Sequence, residues 1–246
     1  LGNTPITHLE AYTLGNLVAQ NAQLVKVSYN KEDIQHNILI QDIEGGIKYN
    51  KKLHKLRNLG SRASNTQKAP EIEDRKLDFR NLFLSKPYLT AINDILVINP
   101  TLEALHLTNT NIKDASLLTL QQGIKESQGL KTLNLQGNSI TRRGLEILVK
   151  ALSNRELRSL NLGSNSIDAG EFEKDKVTLE KLLTHNTIEV LNLGGNQLVN
   201  KGAVAISVGL QLNTILHTLD LSNNGIGDTG IEALAIKLTD ANTTLR

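Results

Sequence analysis

The chain of 246 residues carries 27 Lys and Arg against 25 Asp and Glu, with no Cys and no Met. Charge this balanced argues against nucleic acid as the main partner, and the lack of Cys excludes disulfides, Cys-ligated metals and a Cys nucleophile. No secretory signal opens the chain, and no apolar run reaches the roughly 18 residues of a membrane-spanning helix. Because Cys-free chains suit a reducing compartment, we expect a cytoplasmic location. With no Met at position 1, we expect the numbering to begin inside a longer protein or after processing.

Residues 1–101 show an irregular repeat of apolar positions. Residues 1–7 match 107–113, the middle of a later repeat, so the first residue is expected midway through a repeat. Residues 60–73 have almost no apolar content and several turn formers, which predicts an exposed loop or insertion. The apolar pattern then returns at Leu77, Phe79, Leu82, Leu84, Ile92 and Leu96.

A basic stretch precedes and enters that loop, because residues 45–70 contain Lys and Arg but no acid. Four of these lysines have the spacing of one helical side: Lys48, Lys51, Lys52 and Lys55. One interpretation is contact with an anionic partner such as a membrane surface. The other, which we favour, is a solvated face beside a flexible loop.

From residue 102 to 246 the repeats are regular and about 28 residues long. Their template is L-x-x-L-x-L-x-x-N-x-I, followed by Gly four residues after the Ile and by Leu at eight and twelve. The first half has the period of a strand and the second half that of a helix face. The repeats start at Leu102, Leu130, Leu157, Ile188 and Leu216. A further start at Leu245 leads us to expect one array over residues 1–246, with both ends cutting a repeat.

This template predicts an α/β solenoid. A single repeat cannot bury its own apolar face, so neighbouring repeats must stack. Helices are wider than the strand spacing of about 4.8 Å, which predicts a horseshoe or arc with a concave parallel sheet and helices on the convex side. The Asn of each template is expected to bond backbone groups of adjacent turns: Asn138, Asn165, Asn196 and Asn224.

The pattern resembles the ribonuclease-inhibitor type of leucine-rich repeat, strongly over 102–246 and loosely over 1–101. That class includes ribonuclease inhibitor, the Ran GTPase-activating protein, innate immune receptors and secreted effectors of intracellular bacteria. Ribonuclease inhibitor is Cys-rich, so its activity is not implied for a Cys-free chain. The Asn-, Ile- and Lys-rich composition is similar to the bacterial effectors, and that resemblance implies secretion into a host cell as the alternative location.

The variable positions of the template predict the functional surface. Residues one, two and four places after the first Leu lie outside the core, and those at the second place are small. The larger ones are the candidate partner-binding residues of the concave face: Glu103, His106, Lys131, Asn134, Arg158, Asn161, Glu189, Asn192, His217 and Asp220.

The sequence offers no motif for catalysis, and we expect neither an enzyme nor a cofactor. His106 and His217 lie four repeats apart, roughly 19 Å, which is too far to share a metal ion. We therefore expect a monomeric module that binds a protein partner on its concave face, and that acts as a bacterial effector on a host protein. Two alternatives stay open. One is a regulator of small GTPases similar to the Ran activator, and the other is the targeting part of a larger enzyme.

Overall fold

The computed structural model describes residues 75–153, 155–170, 173–184, 187–240 and 245. The chain divides into two units, Leu1–Arg62 and Ala63–Arg246, and all described residues belong to the second. The predicted loop at 60–73, the basic stretch and the repeats before residue 75 lie outside the described residues. Those interpretations, and the single array over 1–246, stay predictions.

Strands and helices alternate strictly along the described part. The strands are β1 Lys76–Asp78, β2 Ala104–His106, β3 Thr132–Asn134, β4 Ser159–Asn161, β5 Val190–Asn192 and β6 Thr218–Asp220. The helices are α1 Lys86–Ile98, α2 Asp114–Glu126, α3 Arg142–Leu152, α4 Glu173–Leu183, α5 Val199–Leu212 and α6 Asp228–Asp240. None of these helices is long and apolar enough to cross a membrane.

The strands form one open parallel sheet in the order β1 to β6. The register pairs the central Leu of each strand with that of the next, from Leu77 through Leu105 to Leu219. These leucines point toward the helices, and all but the half-buried Leu219 are at most 5% exposed. The predicted α/β leucine-rich-repeat arc is confirmed, and so is the apolar pattern that begins at Leu77, because all its residues are buried.

The template Asn residues join each turn to the turn before it. Asn196 Nδ2 donates to the carbonyl oxygen of Leu193 in its own repeat, at 2.8 Å, and to that of Leu162 in the preceding repeat, at 3.0 Å. Its Oδ1 accepts from the N–H of Ile167 at 3.0 Å. Equivalent bonds form at each member of this set, which we call the Asn ladder: Asn138, Asn165, Asn196 and Asn224. The predicted backbone role is thereby confirmed.

The recurring template Gly begins each helix in close contact with its neighbours. At Gly144 an added Cβ would lie 2.4 Å from Asp114 Oδ1 and 2.7 Å from Ile140 Cγ2. Asp114 in turn accepts from the N–H and the hydroxyl of Thr141, at 2.9 and 2.7 Å, and so connects α2 to the start of α3. The Gly is therefore required by packing between repeats.

Candidate functional site

The side of the sheet away from the helices carries the variable positions, and we call it the open face. It consists of six rows, one per strand, each with residues at places one, two, four and six after the template's first Leu. The ten predicted residues occupy the first and fourth places of rows two to six. The register makes His106, Asn134, Asn161, Asn192 and Asp220 consecutive neighbours across the sheet.

Residues at the first place lie where each strand begins, and their backbones also bond in sequence. The N–H of Lys131 donates to the carbonyl of Glu103 at 2.9 Å, and Arg158 donates to Lys131 at the same distance. Glu103 sits between two cations, Arg75 at 2.9 Å and Lys131 at 3.6 Å. The hydrogen bond from Arg75, with the charge of Lys131, lowers the pKa of Glu103.

These ion pairs are exposed, so water screens them strongly. Arg158 Nε is 3.9 Å from Glu189 Oε1, and the two side chains are 61% and 44% exposed. Pairs of this kind add little to stability. Their charges are therefore accessible to a partner that exchanges one ion pair for another.

Residues at the fourth place have a structural task that the sequence analysis missed. The side-chain oxygens of Asn161, Asn192 and Asp220 each accept from the backbone N–H two residues later, at 3.0, 2.8 and 2.9 Å. Asn134 does the same at 3.0 Å. These are Asx turns, which end each strand, and Asn or Asp at the strand exit was the available signal. Only the remaining polar atoms of these side chains can serve a partner.

His106 occupies the fourth place of row two without such a turn. Partial burial lowers its pKa, and the nearby charges of Lys76 and Arg80 act in the same direction, opposed by Asp78. Its ring is therefore held toward the neutral form. As an uncharged donor and acceptor, it adds hydrogen-bonding capacity rather than charge to this part of the face.

Row one was also missed as part of the site. Leu77 pairs with Leu105, 28 residues later, which places Lys76, Asp78 and Arg80 on the open face. Arg80 holds Asp78 by two charged contacts, Nε to Oδ1 at 3.0 Å and Nη2 to Oδ2 at 2.8 Å. The signal was present in the spacing of Leu77, because one template length added to 77 gives 105.

The floor of the face is shallow. Gly163 and Gly194 are buried at the sixth place of rows four and five. Beside them, Val190 is 42% exposed and is flanked across the sheet by Ser159 and Thr218. Among the residues that the structure describes, no group of three His, Cys, Asp or Glu could hold a metal ion.

A cleft of about 590 Å³ lies at the edge where strands lead into helices, away from the open face. Arg142 and Asp168 line it, with Nη1 and Oδ1 3.7 Å apart, and Asn200 and Lys201 lie at its other wall. Asp168 Oδ1 also accepts from the N–H of Gly170 at 2.7 Å, and Asn200 Oδ1 accepts from Gly227 at 2.7 Å. These polar groups therefore hold the connecting loops together.

Comparison with known proteins agrees with this architecture. A family model described as a leucine-rich repeat matches residues 99–120, 127–149, 184–207 and 212–235. Pig (Sus scrofa) ribonuclease inhibitor is 30% identical over 169 residues, which are 68% of this chain and 36% of that protein. The chain carries leucine-rich repeats of the ribonuclease-inhibitor type. The matched stretches omit most of the leucine-rich repeat that starts at residue 157, although β4 and Asn165 keep its register.

Other relatives are long proteins of which this chain spans a small part. Human (Homo sapiens) NACHT, LRR and PYD domains-containing protein 5 is 31% identical over 145 residues, which are 58% of this chain and 12% of that protein. A solved structure of leiomodin-1 actin-binding site 2 aligns with a TM-score of 0.41 and 16% identity, covering 78% of this chain and 90% of that one. The similarity to bacterial effectors stays a prediction.

Proposed function

We propose that this chain is a protein-binding module that holds a folded partner on its open face. The observation that carries the proposal is the arrangement of that face: six hydrogen-bonded rows present polar, partly exposed side chains on one continuous surface. The rows span about 24 Å at the usual strand spacing. A broad surface of this kind suits contact with another protein better than enclosure of a small molecule.

The resemblance to ribonuclease inhibitor supports the same function. That protein's name states an action on another protein, and the similarity covers 68% of this chain. The match includes the regular repeats but carries no specificity for a ribonuclease, since the recognition residues lie at the template's variable places. The partner must therefore be read from Glu103, Lys131, Arg158, Glu189 and their neighbours rather than from the family.

The affinity of the face is expected to be modest. None of the six described rows carries an aromatic residue at its variable places. Interface hot spots are enriched in Trp, Tyr and Arg, so Arg158 and Arg75 are the best anchors that the described face offers. The partner is expected to supply the aromatic residues. The alternatives of GTPase regulation and of targeting for a larger enzyme, the monomeric state and the location stay predictions.

The proposal is tested by photocrosslinking in the cells that express the protein. A photoreactive residue at Thr132, on the open face, should crosslink to a protein partner, whereas one at Leu118, which is exposed on helix α2, should not. Identification of the crosslinked protein then allows binding to be measured with purified components. Crosslinking only from Leu118 would contradict the proposal.

Binding by variants gives the quantitative check. Lys131, Arg158 and Glu189 are replaced together by Ala, because none of them forms an Asx turn or a buried contact. The matched control replaces three exposed helix residues of the same charges: Lys125, Lys150 and Glu126. We expect at least about a tenfold loss of affinity for the first variant and less than about twofold for the control. Full affinity in the first variant would refute the proposed surface.

A further inference from the structure

Charge is unevenly distributed over the open face. Rows one to four carry five cations and two carboxylates at the variable places: Arg75, Lys76, Arg80, Lys131 and Arg158, with Asp78 and Glu103. Rows five and six carry two carboxylates and no Lys or Arg: Glu189 and Asp220. The nearly neutral charge of the whole chain conceals this division, because the two halves differ in sign.

The carboxylates of the first four rows are already engaged. Asp78 is held by Arg80 at 2.8 Å, and Glu103 is shared by Arg75 and Lys131. Lys76 is exposed beside them. The excess positive charge is therefore carried by groups that reach solvent rather than by buried ones. The lowered pKa of His106, to which Lys76 and Arg80 contribute, reports the same positive surroundings.

Lys131 and Arg158 form the centre of this excess. They are adjacent across the sheet, since the N–H of Arg158 donates to the carbonyl of Lys131. Lys131 Nζ lies 3.6 Å from the carboxylate that it shares with Arg75, and Arg158 lies 3.9 Å from Glu189. Neither contact is a close hydrogen bond. A carboxylate placed between the two side chains would gain a charge-assisted bond from each.

We infer that rows one to four bind an acidic segment of the partner protein, with Lys131 and Arg158 as the central contacts. This inference rests on the proposed function and adds the chemistry of the partner to it. Glu189 and Asp220 repel further acidic residues at the other end, so they fix the direction in which the segment lies across the rows. The segment's neutral or basic end then faces rows five and six.

The arrangement favours an acidic protein segment over a nucleic acid. Asp78 and Glu103 lie among the cations, so a continuous phosphate backbone would meet them at close range. A polypeptide can place carboxylates opposite the cations and uncharged residues opposite Asp78 and Glu103. The six described rows also lack the aromatic side chains on which exposed bases stack.

The test uses the full chain and fluorescently labelled peptides of equal length, one rich in Asp and Glu, one with Gln and Asn in their place, and one rich in Lys. Binding is measured by anisotropy at low salt (about 50 mM) and near physiological salt (about 150 mM). The variant Lys131→Gln with Arg158→Gln removes the central cations. The control Lys125→Gln with Arg143→Gln removes the same charges from exposed helix positions. A uridine oligonucleotide and phosphatidylserine vesicles are the other anionic probes.

We expect only the acidic peptide to bind, with affinity that falls as salt rises. An exposed ion pair is worth up to about fivefold in affinity, so the open-face variant should bind it roughly five- to twentyfold more weakly, and the helix variant less than about twofold. Absence of acidic-peptide binding at low salt, an equal loss in both variants, or equally strong binding of the oligonucleotide or the vesicles overturns the inference. If crosslinking from Thr132 captures a neutral or basic segment, the inference fails while the proposed function stands.

Discussion

Replacing Asn196 by Ala should destabilise the array through one backbone group in particular. The side chain is 6% exposed and bonds to backbone atoms of two repeats. Both carbonyls that it contacts keep a second donor, because Leu162 also accepts from Asn165 at 2.9 Å and Leu193 from Asn224 at 2.9 Å. The N–H of Ile167, bonded to Asn196 Oδ1 at 3.0 Å, instead loses its acceptor inside the core.

The cost follows from this inequality. A buried donor left without a partner costs about 1–3 kcal/mol, and each lost hydrogen bond to a carbonyl that keeps another costs about 0.5 kcal/mol, at the low end of the usual range. The free energy of unfolding should therefore fall by about 2–4 kcal/mol. Urea unfolding measures the fall, and hydrogen exchange should show faster exchange at the amide of Ile167.

Two further variants isolate the cause. Gln197→Ala changes the exposed neighbour and should stay within about 0.5 kcal/mol of the parent. Asn196→Asp keeps an acceptor for Ile167 but turns a second oxygen toward the two carbonyls. It should be destabilised at neutral pH and partly recover in acid, when the protonated carboxyl can donate. If Asn196→Ala costs no more than Gln197→Ala, the reasoning is refuted.

Three other changes are expected to have measurable effects. Gly144→Ala should cost about 1–3 kcal/mol in urea unfolding because the new Cβ meets Asp114, and a cost below about 0.5 kcal/mol would argue against that contact. The lowered pKa of His106 means that the unfolded chain protonates first as pH falls below about 6.5, so stability should decrease there. His106→Gln should lose that slope, and an NMR titration of the ring at or above that value would contradict it. Hydrogen bonds from Ser222 lower the pKa of Asp220, so its contribution is present above about pH 3.9 and lost as pH falls through the lower folded value. Urea midpoints of Asp220→Asn should lack this dependence, and its persistence would count against the Asx turn.

The sequence was sufficient for the architecture because the template's fixed letters are those that the core requires. Leu105 and Leu133 pack inward on consecutive strands, and Asn196 can meet its backbone partners only if repeats stack in parallel. These requirements recur every 28 residues or so, which makes the register readable. Row one could have been added to the site by the same count, since Leu77 precedes Leu105 by one template length.

The chemistry of the open face depended on side-chain geometry that spacing does not encode. Glu103 was readable as an exposed acid, but its position between Arg75 and Lys131 depends on the conformations of three flexible side chains. Asn161 was assigned wholly to a partner, whereas its Oδ1 is used by the N–H of Gly163. Short-range turn chemistry was visible in the letters and was overlooked because the repeat template drew attention to longer distances.

The Asn ladder has a consequence for how such a chain can be rebuilt. Each joint between repeats uses one amide side chain and main-chain atoms only, so it does not depend on which side chains the neighbouring repeats carry. The stretch from Asn138 to the residue before Asn165 is therefore a cassette with the same connection at both ends. Exchanging such a cassette would replace one row of the open face and leave the joints intact. Recognition in this protein can in principle be rewritten one row at a time.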